Sequence, residues 1–204
     1  EKKGHEGVKG TVTEDFRVIL VHDHEITFYR YRSAHQECLA HVERYLKDSM
    51  ENESSLTWNR RMRELLQRMI HYRKEHTGEA SLDAQTVAGF ETEYQEILDK
   101  AKEEYKRNEP SPYYREGYNL YRRMQEYKTE HLLFLHDMRV PTTNNTAERC
   151  LRDYKRKQTF AMTFRSLESI EELCHSKGVL LEVRKNNRNI YTAVMEIFNR
   201  RYGA

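Results

Sequence analysis

Val140-Pro141-Thr142-Thr143-Asn144-Asn145-Thr146-Ala147-Glu148-Arg149-Cys150-Leu151-Arg152 is the densest chemical stretch of the sequence. Pro141 breaks the chain, and a helix opens at Asn145. Its first turns set one carboxylate, Glu148, among amides and arginines. An acid beside guanidinium groups and helix-start N–H groups is one way to hold a divalent cation next to a phosphate backbone. The same residues also fit a capping box, with the Asn145 amide on the Glu148 N–H and Glu148 reaching back. Arg149 and Arg152 would then be ordinary solvated residues. Which reading holds depends on what else lies in register with the block.

Downstream, Arg149, Arg152, Lys155, Arg156, Lys157 and Arg165 are opposed, between positions 149 and 165, only by Asp153. Arg152 and Lys155 stand four and seven residues after Glu148, on the same helix face, with Arg149 beside that stripe. The net charge is only +2 although 33% of residues are charged, which excludes a uniformly basic nucleic-acid coat. A local patch matters more for phosphate binding than the total does. The 204 residues allow one sizeable domain or two small ones. Cys38, Cys150 and Cys174 form no disulfide framework, so a reducing cytoplasm is expected. No apolar run is long enough for a membrane span and there is no signal peptide. The chain opens Glu1-Lys2-Lys3 and reads as an excised fragment.

Upstream, residues 1–16 are polar and punctuated by Gly4, Gly7 and Gly10, as an irregular lead-in would be. Arg17-Val18-Ile19-Leu20-Val21-His22-Asp23 is the single run of buried-strand type, and it stops at an acid. A strand end is the usual address for a functional acid in an α/β sheet; Asp23 could equally cap the turn with His22 and His24. His35-x-x-Cys38-x-x-His41-x-x-Arg44 follows, on a helix expected from His35 to about Glu51. Steps of three wind around a helix, so packing and hydrogen bonding near the strand end suit this set better than zinc ligation. Further helices are expected after a cap at Ser54 or Ser55, around Val87–Ala101, from Tyr114 to His136, from Leu167 to Lys185 with a possible interruption at Gly178, and from Asn189 to Tyr202. Their apolar stripes fit helix–helix packing in a hairpin or bundle.

The elements run in an order that resembles the C-terminal part of the catalytic domain of a bacterial DDE-type transposase of the insertion sequence 66 family. The resemblance rests on Val21-His22-Asp23-His24 after an apolar strand, the His35/Cys38/His41/Arg44 set, a long helical segment with Trp58 near its start, Val140-Pro141-x-x-Asn144-Asn145-x-Ala147-Glu148-Arg149-x-Leu151-Arg152, and Phe164-Arg165-Ser166. It spans nearly the whole chain. It implies a mainly α fold with a short β portion: a partial RNase H-like α/β core carrying a large α-helical insertion. Residues 1–45 would belong to the core, 46–137 to the insertion and 138–204 to the C-terminal helices of the core. Asp23 matches the second of three metal-binding acids and Glu148 the third; the first has no counterpart in this chain, since Asp15 lies in the wrong element. The chemistry implied is DNA strand cleavage and strand transfer with two Mg2+ (or Mn2+) ions. Asn144, Asn145, Arg149, Arg152, Lys155, Arg156 and Arg165 would bind DNA. Transposon ends and target DNA are the implied partners, with self-association besides, and the fragment alone is expected to be inactive. The alternative is a non-catalytic helical module for DNA binding or oligomerisation.

Overall fold

Ile19–His22 forms strand β1, its β-branched and apolar residues half-buried until His22 closes it in the interior. The computed structural model describes residues 4–31, 34–160 and 166–202. Two short helical turns, α1 (His5–Val8) and α2 (Val12–Asp15), precede the strand where an irregular lead-in is expected. A second strand, β2 (Ala34–Glu37), runs parallel to β1 with Ile19 opposite Ala34 and His22 opposite Glu37. The helix predicted from His35 therefore begins later, as α3 (Leu39–Asn52). The reason lies outside local propensity: the Ala34 N–H bonds the Val18 carbonyl (2.9 Å) and the Cys38 N–H bonds the His22 carbonyl (2.7 Å). Donors spent on a neighbouring strand are lost to a helix.

After α3 the chain continues through α4 (Trp58–Glu75), α5 (Ala84–Arg107), α6 (Glu116–Glu126) and α7 (Lys128–His136). The predicted apolar stripes are the ones buried: Trp58, Met62, Leu65 and Met69 of α4 meet Tyr94, Ile97 and Ala101 of α5, all fully enclosed. Asp83 caps α5 by accepting from the Thr86 N–H. Ser54 and Ser55 do not cap α4. Its first N–H groups, on Thr57 and Trp58, donate instead to the Glu104 carboxylate of α5 at 2.9 and 3.1 Å. The long helix expected over Tyr114–His136 is divided at Tyr127 (φ −112, ψ 34). The Tyr127 ring packs on Tyr29, 4.4 Å between centroids, so the bend aims an aromatic at the strand end. Gln36 of β2, wholly buried, fastens α7 to the sheet: its Oε1 accepts the Phe134 N–H (2.8 Å) and its Nε2 reaches the His131 carbonyl (3.3 Å).

Residues 1–146 and 147–204 form two compact units. In the second, α9 (Leu167–Lys185) passes Gly178 without interruption and packs against α10 (Ile190–Tyr202), burying Val183 and Ala193. The helix α8 (Asn145–Phe160) starts at the predicted residue.

One close approach in the first unit yields a direct expectation. Gly117 of α6 lies against the end of α3, where a Cβ would sit 2.8 Å from Ser49 Oγ and nearer still to the Glu53 carboxylate. That carboxylate is held by Ser49 (2.8 Å) and by the Tyr105 hydroxyl (3.0 Å), so it cannot move without losing both. Alanine is the better helix former by about 1 kcal/mol, but overpacking at such a contact costs about 1–3 kcal/mol. Gly117→Ala is expected to lower the urea midpoint; a midpoint that rises would mean that the α3–α6 approach is looser than this.

Candidate functional site

The two parallel strands end side by side at His22 and Glu37, and the side chains beyond them converge there. Asp23 is exposed, in the turn leaving β1. Its carbonyl is fixed twice, by the Glu25 N–H (2.8 Å) and by His22 Nδ1 (2.5 Å). The His22 ring, buried, lies 3.1 Å through Nε2 from His35 Nδ1 on the neighbouring strand. Burial pushes the His22 imidazole below its ordinary value, only partly offset by the Asp23 carbonyl it bonds. His35 of the predicted His/Cys/His/Arg set therefore braces the turn that presents Asp23. Cys38 is buried at the start of α3 and Arg44 is exposed.

The chemical centre of this region is a residue the sequence reading passes over. Glu37 is 1% exposed, yet it is a carboxylate. His24 Nδ1 and the Tyr29 hydroxyl both reach its Oε1 at 2.5 Å. His131 Nε2 of α7 approaches Oε2 at 3.1 Å and Arg123 Nε of α6 stands 3.6 Å from it. The His131 ring is set in turn by the Tyr94 hydroxyl of α5, 2.8 Å from Nδ1. Burial alone would raise the Glu37 carboxyl; the His131, His24 and Tyr29 donors outweigh it and hold the group well below the usual carboxylate range. The same carboxylate, after burial, drives the Tyr29 hydroxyl far above its ordinary value. Glu37 thus joins the sheet, the turn after Asp23 and three helices at one point. Nothing in Ala34-His35-Gln36-Glu37 marks it beforehand, because a four-residue strand without apolar alternation carries no periodic signal.

The loop that precedes α8 returns to this same end of the sheet. The Leu39 N–H, the first of α3, donates to the Thr142 carbonyl at 2.9 Å. Val140 is buried and Arg73 of α4 caps the turn before it through the Phe134 (3.3 Å) and Met138 carbonyls. Asn144 is half-buried at the end of this loop and Asn145 is exposed.

In the second unit, Glu148 is half-buried in the first turn of α8, while Arg149, Arg152, Lys155 and Arg156 are exposed. Arg165 lies outside the described residues. A cavity of about 360 Å3 beside α8 is lined by Arg149, Tyr154, Lys177 and Arg184 among others, with Lys177 Nζ 4.4 Å from the centre of the Tyr154 ring.

Exposed carboxylates such as Asp23 are the donor type that hard divalent cations prefer. Among the described residues, no group of three or more His, Cys, Asp or Glu could hold a metal ion. Upstream of β1, Glu14 and Asp15 sit on the helical turn α2 and not at a strand end. The donor chemistry suits magnesium, but the described residues do not complete a site for it. No helix among them is long and apolar enough to cross a membrane.

Comparison with curated proteins and with solved structures yields no match. The family model described as Transposase IS66 family matches residues 2–172, which takes in both strands, all of α3 to α8 and the first turns of α9. A match over that much of the sequence shows that the chain belongs to the IS66 family of transposases.

Proposed function

We propose that this chain is the later part of a DDE-type catalytic domain, in which Asp23 and Glu148 are two of three acids that hold divalent cations for DNA strand cleavage and strand transfer. The observation that carries the reading is the exposed Asp23 at the carboxyl end of a parallel strand pair, the end where α/β sheets place their ligands. The Thr142–Leu39 hydrogen bond supports it by returning the Asn144-Asn145 loop to that end. In this reading residues 1–45 and 138–204 belong to an RNase H-like core, and residues 46–137 are a helical insertion keyed to it through Glu37 and Gln36. Bound Mg2+ or Mn2+ would supply charge neutralisation at the scissile phosphate and a nucleophile active at neutral pH. The chain's own residues bind and orient. Asn144 and Asn145 would shape the start of α8, Glu148 would supply its carboxylate from the first turn of that helix, and Arg149, Arg152, Lys155, Arg156 and Arg165 would neutralise the DNA backbone. The first acid would come from a preceding strand, so the chain by itself would bind DNA without cutting it.

The test of the DNA contact is a salt titration. Each phosphate contact removed should make the slope of log affinity against log salt shallower by about 0.9 on duplex DNA. Arg149→Ala, Arg152→Ala, Lys155→Ala and Arg156→Ala combined should therefore bind weakly and with a much flatter slope. Unchanged affinity and slope would remove α8 from the interface.

A further inference from the structure

Between α3 and α6, on the flank of the sheet end, lies a cavity of about 560 Å3 lined by His24, Tyr45, Asp48, Asn52, Tyr113, Tyr114, Glu116, Asn119, Leu120 and Arg123. We propose that this cavity receives one unpaired nucleobase of the DNA strand. The proposal rests on the DNA-processing reading of the Asp23 region and adds a subsite to it.

Three features of the lining point to a flat, neutral, hydrogen-bonding heterocycle. The first is exposed aromatic surface. Tyr113 is 97% exposed and Tyr45, with Arg123 over one face of its ring, is 40% exposed, and both line the cavity. Buried apolar packing does not explain them, whereas a π-face stacks on any base. The second is Arg123. Its guanidinium carbon lies 4.8 Å above the Tyr45 ring, yet buried Nη2 has no hydrogen-bond partner among the described residues, and Nε meets Glu37 only at 3.6 Å. A buried donor left unmade costs more than a made bond returns, so an acceptor presented by a ligand fits there. Base carbonyl and ring-nitrogen atoms are such acceptors. The third is the sign of the remaining groups. Asp48 and Glu116 line the cavity with Arg123, so a phosphate would meet two carboxylates for one guanidinium. A base that carries both an exocyclic amino group and a carbonyl satisfies both, which favours guanine or cytosine over adenine and thymine. Asn52 and Asn119 supply further donors and acceptors.

Location gives the cavity its purpose. His24 lines it and is the residue after Asp23; its ring is fixed by Glu37 (2.5 Å) and stands edge-on to Tyr127 at 5.1 Å. A base lodged here would leave its backbone close to the Asp23 turn. Extruding a nucleotide from the duplex costs a few kcal/mol, which the cavity must offset, and an already unpaired base avoids that cost.

The experiment uses the whole 204-residue chain. Fluorescence anisotropy compares a fully paired duplex with the same duplex carrying one unpaired guanine or cytosine, for the native sequence and for Tyr45→Ala with Tyr113→Ala. Both rings are exposed, so the substitutions leave the core intact; Tyr45→Phe with Tyr113→Phe is the conservative control. Saturation-transfer NMR with deoxyguanosine and deoxycytidine tests the cavity without DNA. The expected result is tighter binding of the unpaired-base duplex, lost by about five- to 150-fold in the alanine variant, kept in the phenylalanine variant, with the paired duplex unaffected. Equal affinity for paired and unpaired duplexes, or a preference that survives the alanine substitutions, would overturn the proposal. Nucleoside binding that needs Tyr45 and Tyr113, in a chain that binds no duplex, would uphold the base cavity and sink the DNA-processing reading instead.

Discussion

Incubated with magnesium and DNA carrying transposon ends, the 204-residue chain is expected to produce no nicks and no strand-transfer product, while still binding that DNA in a salt-dependent way. The argument is coordination. Magnesium demands near-octahedral oxygen ligation and gives up its waters reluctantly, and Asp23 and Glu148 alone leave a two-ion site under-supplied. Neutralisation of phosphates relies on Arg149, Arg152, Lys155 and Arg156, so binding and turnover should separate. In a longer polypeptide whose preceding strand supplies the first acid, Asp23→Asn and Glu148→Gln are each expected to reduce cleavage to background with little change in DNA affinity. Clear turnover by the chain itself, abolished by Glu148→Gln, would show that the acid missing from this assignment is present after all.

The second large effect concerns Glu37. Replacing it with alanine leaves Arg123 and His131 without the buried carboxylate they face. Breaking a buried ion pair by removing one partner costs about 3–5 kcal/mol, a sizeable share of the roughly 5–15 kcal/mol that holds a domain folded. Glu37→Ala should therefore lower the urea midpoint far more than Glu25→Ala, a change at an exposed acid in the turn after Asp23. The pH dependence has a definite sign. The carboxyl of Glu37 is depressed in the folded protein from an ordinary 4.5. Its contribution is thus fully present above that value and drains away as pH falls below it. Stability of the native chain should decline from about pH 4.5 downward, and the alanine variant should show a shallower decline in that window. Parallel acid-unfolding curves would mean that Glu37 is not the carboxylate that matters.

How far the fold was legible follows from where each element gets its stability. The stripes of α4 and α5 declare themselves because Trp58, Met62, Leu65 and Met69, and then Tyr94, Ile97 and Ala101, repeat at helical spacing and are enclosed together. The strand β1 announces itself by its apolar run, and α8 by the proline and amides before it. β2 was hidden because Ala34-His35-Gln36-Glu37 is specified by partners distant in sequence: β1 on one side and α7 on the other. The bend at Tyr127 is likewise a tertiary decision, made by Tyr29 and His24. The site was legible in the same uneven way. Asp23 and the α8 residues are proposed from sequence motifs, while Glu37, His131 and Arg123, which the structure brings together, come from three elements with no common spacing.

Gln36 and Phe134, joined by one 2.8 Å hydrogen bond, are 98 positions apart. During synthesis at about 5–20 residues per second, the strand pair would therefore leave the ribosome roughly 5–20 s before the helix that clamps it. Over that interval α3, α4 and α5 can assemble from near-neighbour contacts, which close quickly, while the sheet end waits with the Glu37 carboxylate still hydrated. Long-range closures of this kind set the pace of folding. The enclosure of Glu37 by His131 is thus a late event, and the flank of the sheet that α7 covers matures only when that helix arrives.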